Sequence, residues 1–151
     1  MKYEVYTDGA CSRNPGPGGY CYLLIPEGGN ILKGSGGEKC TTNNRMELKA
    51  IVNALHTIVD NSPLKYEINI YTDSAYCFNP INQNWLECWQ KADWKTKSGT
   101  EVKNKDLWMQ MYYYLHNSKL TIKLKKVKGH SGNKYNEMAD KIAKEAVERF
   151  K

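Results

Sequence analysis

The chain writes one five-residue pattern twice, as Tyr6-Thr7-Asp8-Gly9-Ala10 and as Tyr71-Thr72-Asp73-Ser74-Ala75. Each copy closes a short run rich in β-formers, Tyr3 to Thr7 and Glu67 to Thr72, so each Asp is expected at the end of a strand. If the two strands lie side by side and parallel, Asp8 and Asp73 leave the sheet at the same edge. Two carboxylates in one crevice repel each other and are unstable without a cation. A crevice outside the carboxyl ends of strands is where open α/β sheets bind ligands. Carboxylate oxygens there suit a hard divalent ion, which makes catalysis on phosphates the leading expectation.

The rest of the chain supplies the frame. Gly9 to Gly19, with its prolines and glycines, predicts a loop. Gly19 to Ile25 predicts a second strand, Pro26 to Asn30 a turn, and Ile31 onward a third strand in a hairpin. Asn43 or Asn44 is the expected N-cap of a helix to about Val59, whose stripe is Leu48, Ile51, Val52, Leu55, Ile58 and Val59. Glu47 falls in its first turn, at the border of that stripe. One or two short helices are expected between Ser74 and Lys91, broken near Asn79-Pro80, then a polar loop from Trp94 to Lys103. A helix over Asp106 to His116, a strand over Leu120 to Val127, a loop over Lys128 to Gly132 and a helix over Asn136 to Phe150 complete the reading. A hairpin followed by β–α–β alternation predicts an α/β fold: a five-stranded mixed sheet with helices on both faces, in one domain spanning 1–151.

Lys and Arg number 22 against 16 Asp and Glu, a net charge of +6 with pI about 9.0. That excess favours an anionic partner, nucleic acid being the common one, and equally fits a soluble basic protein with a solvated surface. The five cysteines show no Cys-x-x-Cys spacing, so no zinc or redox motif is expected and buried structural thiols are the default. No signal-like or membrane-length apolar stretch is visible, and a cytoplasmic location fits best. Four acids, Asp8, Glu47, Asp73 and Asp140 of the last helix, can be placed near one crevice. Such a set suits Mg2+, and a pair of ions about 3.5–4 Å apart stabilises both the attacking and the leaving oxygen of a phosphodiester.

At these residues the sequence resembles the ribonuclease H family in its small bacterial type 1 form. The carrying segments are Tyr6 to Ala10, Asn14-Pro15-Gly16-Pro17-Gly18-Gly19, Thr41 to Glu47, Tyr71 to Ser74, Trp94-Lys95, Val102-Lys103-Asn104, Asp106-Leu107-Trp108 and Val127-Lys128-Gly129-His130. Together they cover nearly the whole chain. The resemblance implies the ribonuclease H-like three-layer fold and an endonuclease that cuts the RNA strand of an RNA–DNA hybrid, leaving 3′-hydroxyl and 5′-phosphate ends. It implies two Mg2+ ions with substrate, Mn2+ as a substitute. Asp8 matches the carboxylate bridging both ions, Glu47 and Asp73 the acids of the ion that activates water, and Asp140 the fourth acid. His130 matches a mobile histidine assisting proton transfer or product release; an exposed loop histidine is the plainer reading.

Asn14, Asn43 and Asn44 match residues facing the minor groove of the hybrid. Amides donate and accept, as the RNA 2′-hydroxyl does; turn formation and helix capping are their plainer roles. Thr42 and Asn104 match a pocket for a DNA phosphate. Trp85 and Trp89, four apart on one helical face, belong either to the DNA-strand channel or to the core. Trp94, Lys95, Lys97 and Lys103 belong to a basic handle, diluted here by Glu87, Gln90, Ala92 and Asp93. That dilution implies a hybrid affinity that leans on other lysines; separately, Ala75 stands where a glutamine is usual, which reduces one minor-groove contact to backbone, and Cys40 where an arginine usually supports the phosphate pocket. No separate hybrid-binding module, membrane association or obligatory protein partner is expected, and a monomer is the default. Three rivals share some of these features: a DNA-processing enzyme with strand-end acids, a non-catalytic hybrid-binding module, and an α/β protein with a structural cation.

Overall fold

Alternation of apolar side chains along the strands sends one set to each side of a five-stranded sheet of order β3-β2-β1-β4-β5. In the computed structural model, which describes residues 1–60, 64–127 and 133–151, the strands are β1 (Lys2–Cys11), β2 (Gly16–Pro26), β3 (Leu32–Thr41), β4 (Tyr66–Thr72) and β5 (Leu120–Lys126). The helices are α1 (Asn43–Asp60), α2 (Ala75–Asn82), α3 (Trp85–Lys91), α4 (Lys105–Leu115) and α5 (Lys134–Glu148). β1–β2 and β2–β3 are antiparallel, whereas β1–β4 and β4–β5 are parallel, so the sheet is mixed. Tyr6 is level with Tyr71. Asp8 and Asp73 each follow two residues later; Asp73 directly follows β4 as expected, whereas Asp8 lies within β1, which continues to Cys11 by pairing with β2 beyond the last residue paired with β4.

One side of the sheet packs Val5, Leu24, Ile68 and Ile70 against α1 (Leu48, Ile51, Leu55) and α4 (Trp108, Met111). The other packs Cys21 and Leu23 against Ala139 and Ala143 of α5. Two glycines on neighbouring strands let these helices sit on the sheet by backbone contact. A Cβ on Gly9 would lie 2.5 Å from the Glu47 nitrogen in α1, and one on Gly19 would lie 2.7 Å from the Ala143 oxygen in α5.

Several boundaries differ from the sequence reading. The Gly9–Gly19 segment is mostly strand: Gly9, Ala10 and Cys11 pair with Tyr20, Gly19 and Gly18. A register shift between Gly16 and Gly18 absorbs the irregularity, which leaves only a short connection over 12–15. Glycine density signals close approach here, not a loop. The cap of α1 is Thr42, whose Oγ1 accepts from the Arg45 N–H at 3.2 Å and whose carbonyl accepts from the Met46 N–H at 3.1 Å. Asn43 and Asn44 are therefore inside the helix, and Glu47 opens its second turn. Pro80 lies within α2, forfeiting one backbone bond; the break comes at Asn84, which adopts a left-handed φ of 59°. Cys21 and Cys77 are buried as expected, but Cys40 and Cys88 are exposed.

Candidate active site

The strand-end acids converge. Asp8 projects from within β1, Asp73 follows β4, and Glu47 reaches the same edge from α1. One carboxylate oxygen of each lies within 4.8 Å of the other two. The contact of Gly9 with α1 is what brings Glu47 to the edge, and the Gly9 N–H donates to Asp8 Oδ1 at 2.9 Å. Asp140 of α5 adjoins Asp8 from the opposite face, outside the three-way group, and its Oδ2 accepts from Lys144 Nζ at 3.0 Å.

Electrostatics follow from this crowding. Burial, aided by the charges of Asp73 and Asp140 and opposed by the contact with Glu47, pushes the Asp8 carboxyl up to about 7. Burial and the neighbouring Asp8 hold Glu47 well above the usual carboxylate range. Glu47 Oε2 is buried and has no hydrogen-bond partner among the described residues. An orphaned carboxylate oxygen beside two more acids fits a hard divalent cation, which would satisfy it and remove the repulsion. No histidine or cysteine joins the group among the described residues, which disfavours a softer ion.

The three asparagine candidates lie at one corner. Asn14 Oδ1 accepts from the Asn43 N–H at 3.1 Å, tying the β1–β2 connection to the start of α1. Asn14, Asn43 and Asn44 are all exposed, with Asn43 one helical turn before Glu47. Thr42 and Asn104 are linked through Arg45. Its backbone N–H donates to Thr42, and its Nη1 donates to Asn104 Oδ1 at 3.4 Å. The same guanidinium donates in a fork to Asp106 at 2.9 and 2.8 Å and through Nε to Glu38 at 2.9 Å. Glu38 also takes Lys49 Nζ at 3.0 Å.

Both tryptophans line one groove, and one of them also reaches the core. Trp89 packs on the core, with ring centroids 5.6 Å from Trp108 and 6.4 Å from Trp94. Trp85 is 42% exposed and, with Tyr76, Pro80 and Lys103, lines a groove of about 680 Å³. Trp94 of the handle is buried. Lys95 is exposed, and its backbone pairs with that of Glu101 in an isolated antiparallel bridge. His130 lies outside the described residues.

Sequence reasoning missed Arg45, Glu38 and Asp106 as a group. Arg45 and Asp106 both stand inside segments singled out above, but nothing local signals that residues 61 apart meet.

A family model described as RNase H matches residues 1–148. The chain is 50% identical over 150 residues to a ribonuclease H of Caldicellulosiruptor saccharolyticus, covering 97% of each. It is 47% identical over 148 residues to one of Caldanaerobacter subterraneus subsp. tengcongensis, covering 97% of this chain and 91% of that one. Among solved structures, LC9-RNase H1, a type 1 RNase H with the type 2 active-site motif, superposes with a TM-score of 0.79 at 27% identity, covering 99% of this chain and 74% of that chain.

Proposed function

The chain belongs to the ribonuclease H family, an endoribonuclease family, and from that premise we propose that residues 1–151 form one catalytic domain hydrolysing the RNA strand of RNA–DNA hybrids to 3′-hydroxyl and 5′-phosphate ends. The observation that carries this reading is the three-carboxylate group with its buried, unpartnered Glu47 oxygen. Asp8, Glu47, Asp73 and Asp140 would hold two Mg2+ ions, with Mn2+ as a substitute. When bound, these ions supply the Lewis acidity that activates water and stabilises the leaving oxygen.

The protein's own groups do the positioning. Asn14, Asn43 and Asn44 present amides and backbone to the crevice, where a 2′-hydroxyl meets both donors and acceptors. Trp85 offers an exposed ring to the DNA strand at the groove wall, and Lys95 adds charge at the handle. Trp89 lines the same groove and supports Trp85 from the core side. His130 is the residue proposed to assist proton transfer. The described chain has no helix long and apolar enough to cross a membrane; a cytoplasmic monomer remains part of this reading.

The experiment presents one sequence as RNA–DNA hybrid, double-stranded RNA, single-stranded RNA and double-stranded DNA, each with Mg2+, Mn2+ or chelator. Metal-dependent cutting confined to the RNA of the hybrid, with products that a ligase accepts after 5′-phosphate mapping, is the expected result. Binding without cutting would favour a non-catalytic module, and cutting of DNA would move the protein to another branch of the fold.

A further inference from the structure

Asp140 differs from the other three acids in having a cation of its own. Its Oδ2 accepts from Lys144 Nζ at 3.0 Å, one helical turn further along α5. An acid four residues before a lysine is the favoured order for such a pair on a helix. The lysine has a second acid within the same spacing, because Glu148 lies one turn beyond it. Glu148 Oε1 instead takes Lys151 Nζ at 2.8 Å. Lys144 therefore reaches back toward the crevice, where the charge of Asp8 also acts on it.

Placement decides what this pair does. Asp8, Glu47 and Asp73 share one group, and Asp140 adjoins Asp8 from outside it. A fourth bare carboxylate beside Asp8 would deepen the repulsion, and Lys144 offsets that charge. An ammonium is a compact point charge with three donors and no acceptor. It neutralises a carboxylate but is no Lewis acid, so it cannot polarise a water or a phosphate oxygen as a divalent ion does. The Asp140 side chain is 30% exposed and that of Lys144 63%, which leaves the pair open to exchange with ions from solvent.

We propose that Lys144 is a positioning residue that holds Asp140 in reserve and must release it before a divalent ion takes that carboxylate. The inference rests on the reading of Asp140 as a metal-holding acid and deepens it. Lysine and ion compete for the same oxygen, so Lys144 weakens the binding of that ion by about the worth of an exposed ion pair, roughly two- to fivefold. Asp8, Glu47 and Asp73 have no lysine or arginine ion pair among the described residues and face no such competitor. The acids of the crevice are thereby ranked, and Lys144 sets the metal concentration at which Asp140 joins the others.

The test is Mn2+ binding to the whole chain, read by the paramagnetic resonance of free Mn2+ and by calorimetry, with the share that depends on Asp140 defined as what Asp140→Asn loses. Lys144→Gln should tighten that share about two- to fivefold. Lys144→Arg, which keeps the pair, should bind as wild type does. Lys141→Gln removes the same charge next to Asp140 but not its ion-pair partner, and should gain clearly less. In the Asp140→Asn background, Lys144→Gln should gain nothing. Equal gains in the two lysine variants, a gain that survives in Asp140→Asn, or a lowered melting temperature in chelator with Mn2+ binding unchanged would each overturn the proposal. If Asp140→Asn itself binds Mn2+ as wild type does, the metal reading of Asp140 falls and the proposal with it. Cleavage of the hybrid by wild type in Mg2+, measured alongside, tests the ribonuclease reading separately.

Discussion

Helix α1 meets acids at both of its working corners, and the two corners solve charge in opposite ways. At one, Glu47 meets Asp8 and Asp73 with no histidine in the group and no lysine or arginine ion pair to these three acids among the described residues. At the other, Glu38 and Asp106 close around Arg45, with Lys49 on Glu38. The result shows in proton affinity. Burial and mutual repulsion lift Asp8 to about 7 and Glu47 upward. The hydrogen bond from Arg45 holds Asp106 below its ordinary value; at Glu38, burial pushes upward but is outweighed by Lys49 and Arg45. A corner neutralised from within is a finished structural joint. A corner left acidic is a socket for charge from outside.

The strongest way to break this contrast is Asp8→Asn. It removes one carboxylate from the crowded corner, and hybrid cleavage in Mg2+ should fall on the order of a thousandfold or more, judged against the cost of losing a single transition-state stabilising group. Its melting temperature in chelator at neutral pH should equal or exceed that of wild type. Wild-type turnover in this variant would sink the assignment of the corner as catalytic.

Acidity sharpens the contrast next. Asp8 is raised from 3.8 to about 7 on folding, so between those values the folded state binds more protons than the unfolded state. Stability without divalent cation should therefore fall as pH rises through that window, on the order of a few kcal/mol. Mg2+ should restore it at neutral pH, by about 2.7 kcal/mol at a hundredfold excess over its dissociation constant. Denaturant titrations of wild type and Asp8→Asn at both ends of the window check this; the variant should lose the share carried by Asp8 and keep that of buried Glu47. The Arg45 corner has the opposite sign. Its lowered carboxylates stabilise above the ordinary carboxylate range and lose that contribution as pH falls through their depressed values.

A smaller effect is expected from Gly9→Ala. The added methyl meets α1 backbone, not a side chain that can swing away. Stability should drop by about 1–3 kcal/mol, and activity should fall because Glu47 is displaced from Asp8. Urea melts and hybrid turnover test the two together. Smallest is Asp106→Asn, which cuts the fork with Arg45 at a partly exposed site; a loss of about 1 kcal/mol in urea titration, with cleavage retained, is expected.

The acidic corner was legible because strand ends are local. Asp8 and Asp73 each close a recognisable β-run, and one parallel pairing brings them level. Glu47 needed only the helical stripe beside it, although its turn was misplaced by the unseen Thr42 cap. The Arg45 corner was not legible, since it joins β3, α1 and α4, and nothing in the local pattern of Glu38 or Asp106 announces a partner so far along the chain. Gly9 to Gly19 misled for a related reason: glycine frequency marks turns and tight packing alike, and only the opposing helices tell which. Trp85 and Trp89 share a spacing and both line the groove, but differ in exposure, because the Trp89 ring also packs edge-on against Trp108.

Gly9 and Gly19 carry one more consequence. Where helices rest on a sheet through side chains, drift in those side chains shifts the helices, and anything mounted on them wanders. Here the contact at each glycine is main chain on main chain. The carboxylates are thus mounted on a chassis whose dimensions are fixed by peptide geometry. The approach distance of each helix is therefore set at these glycines, and the crevice is reshaped most directly by replacing what projects from the helices.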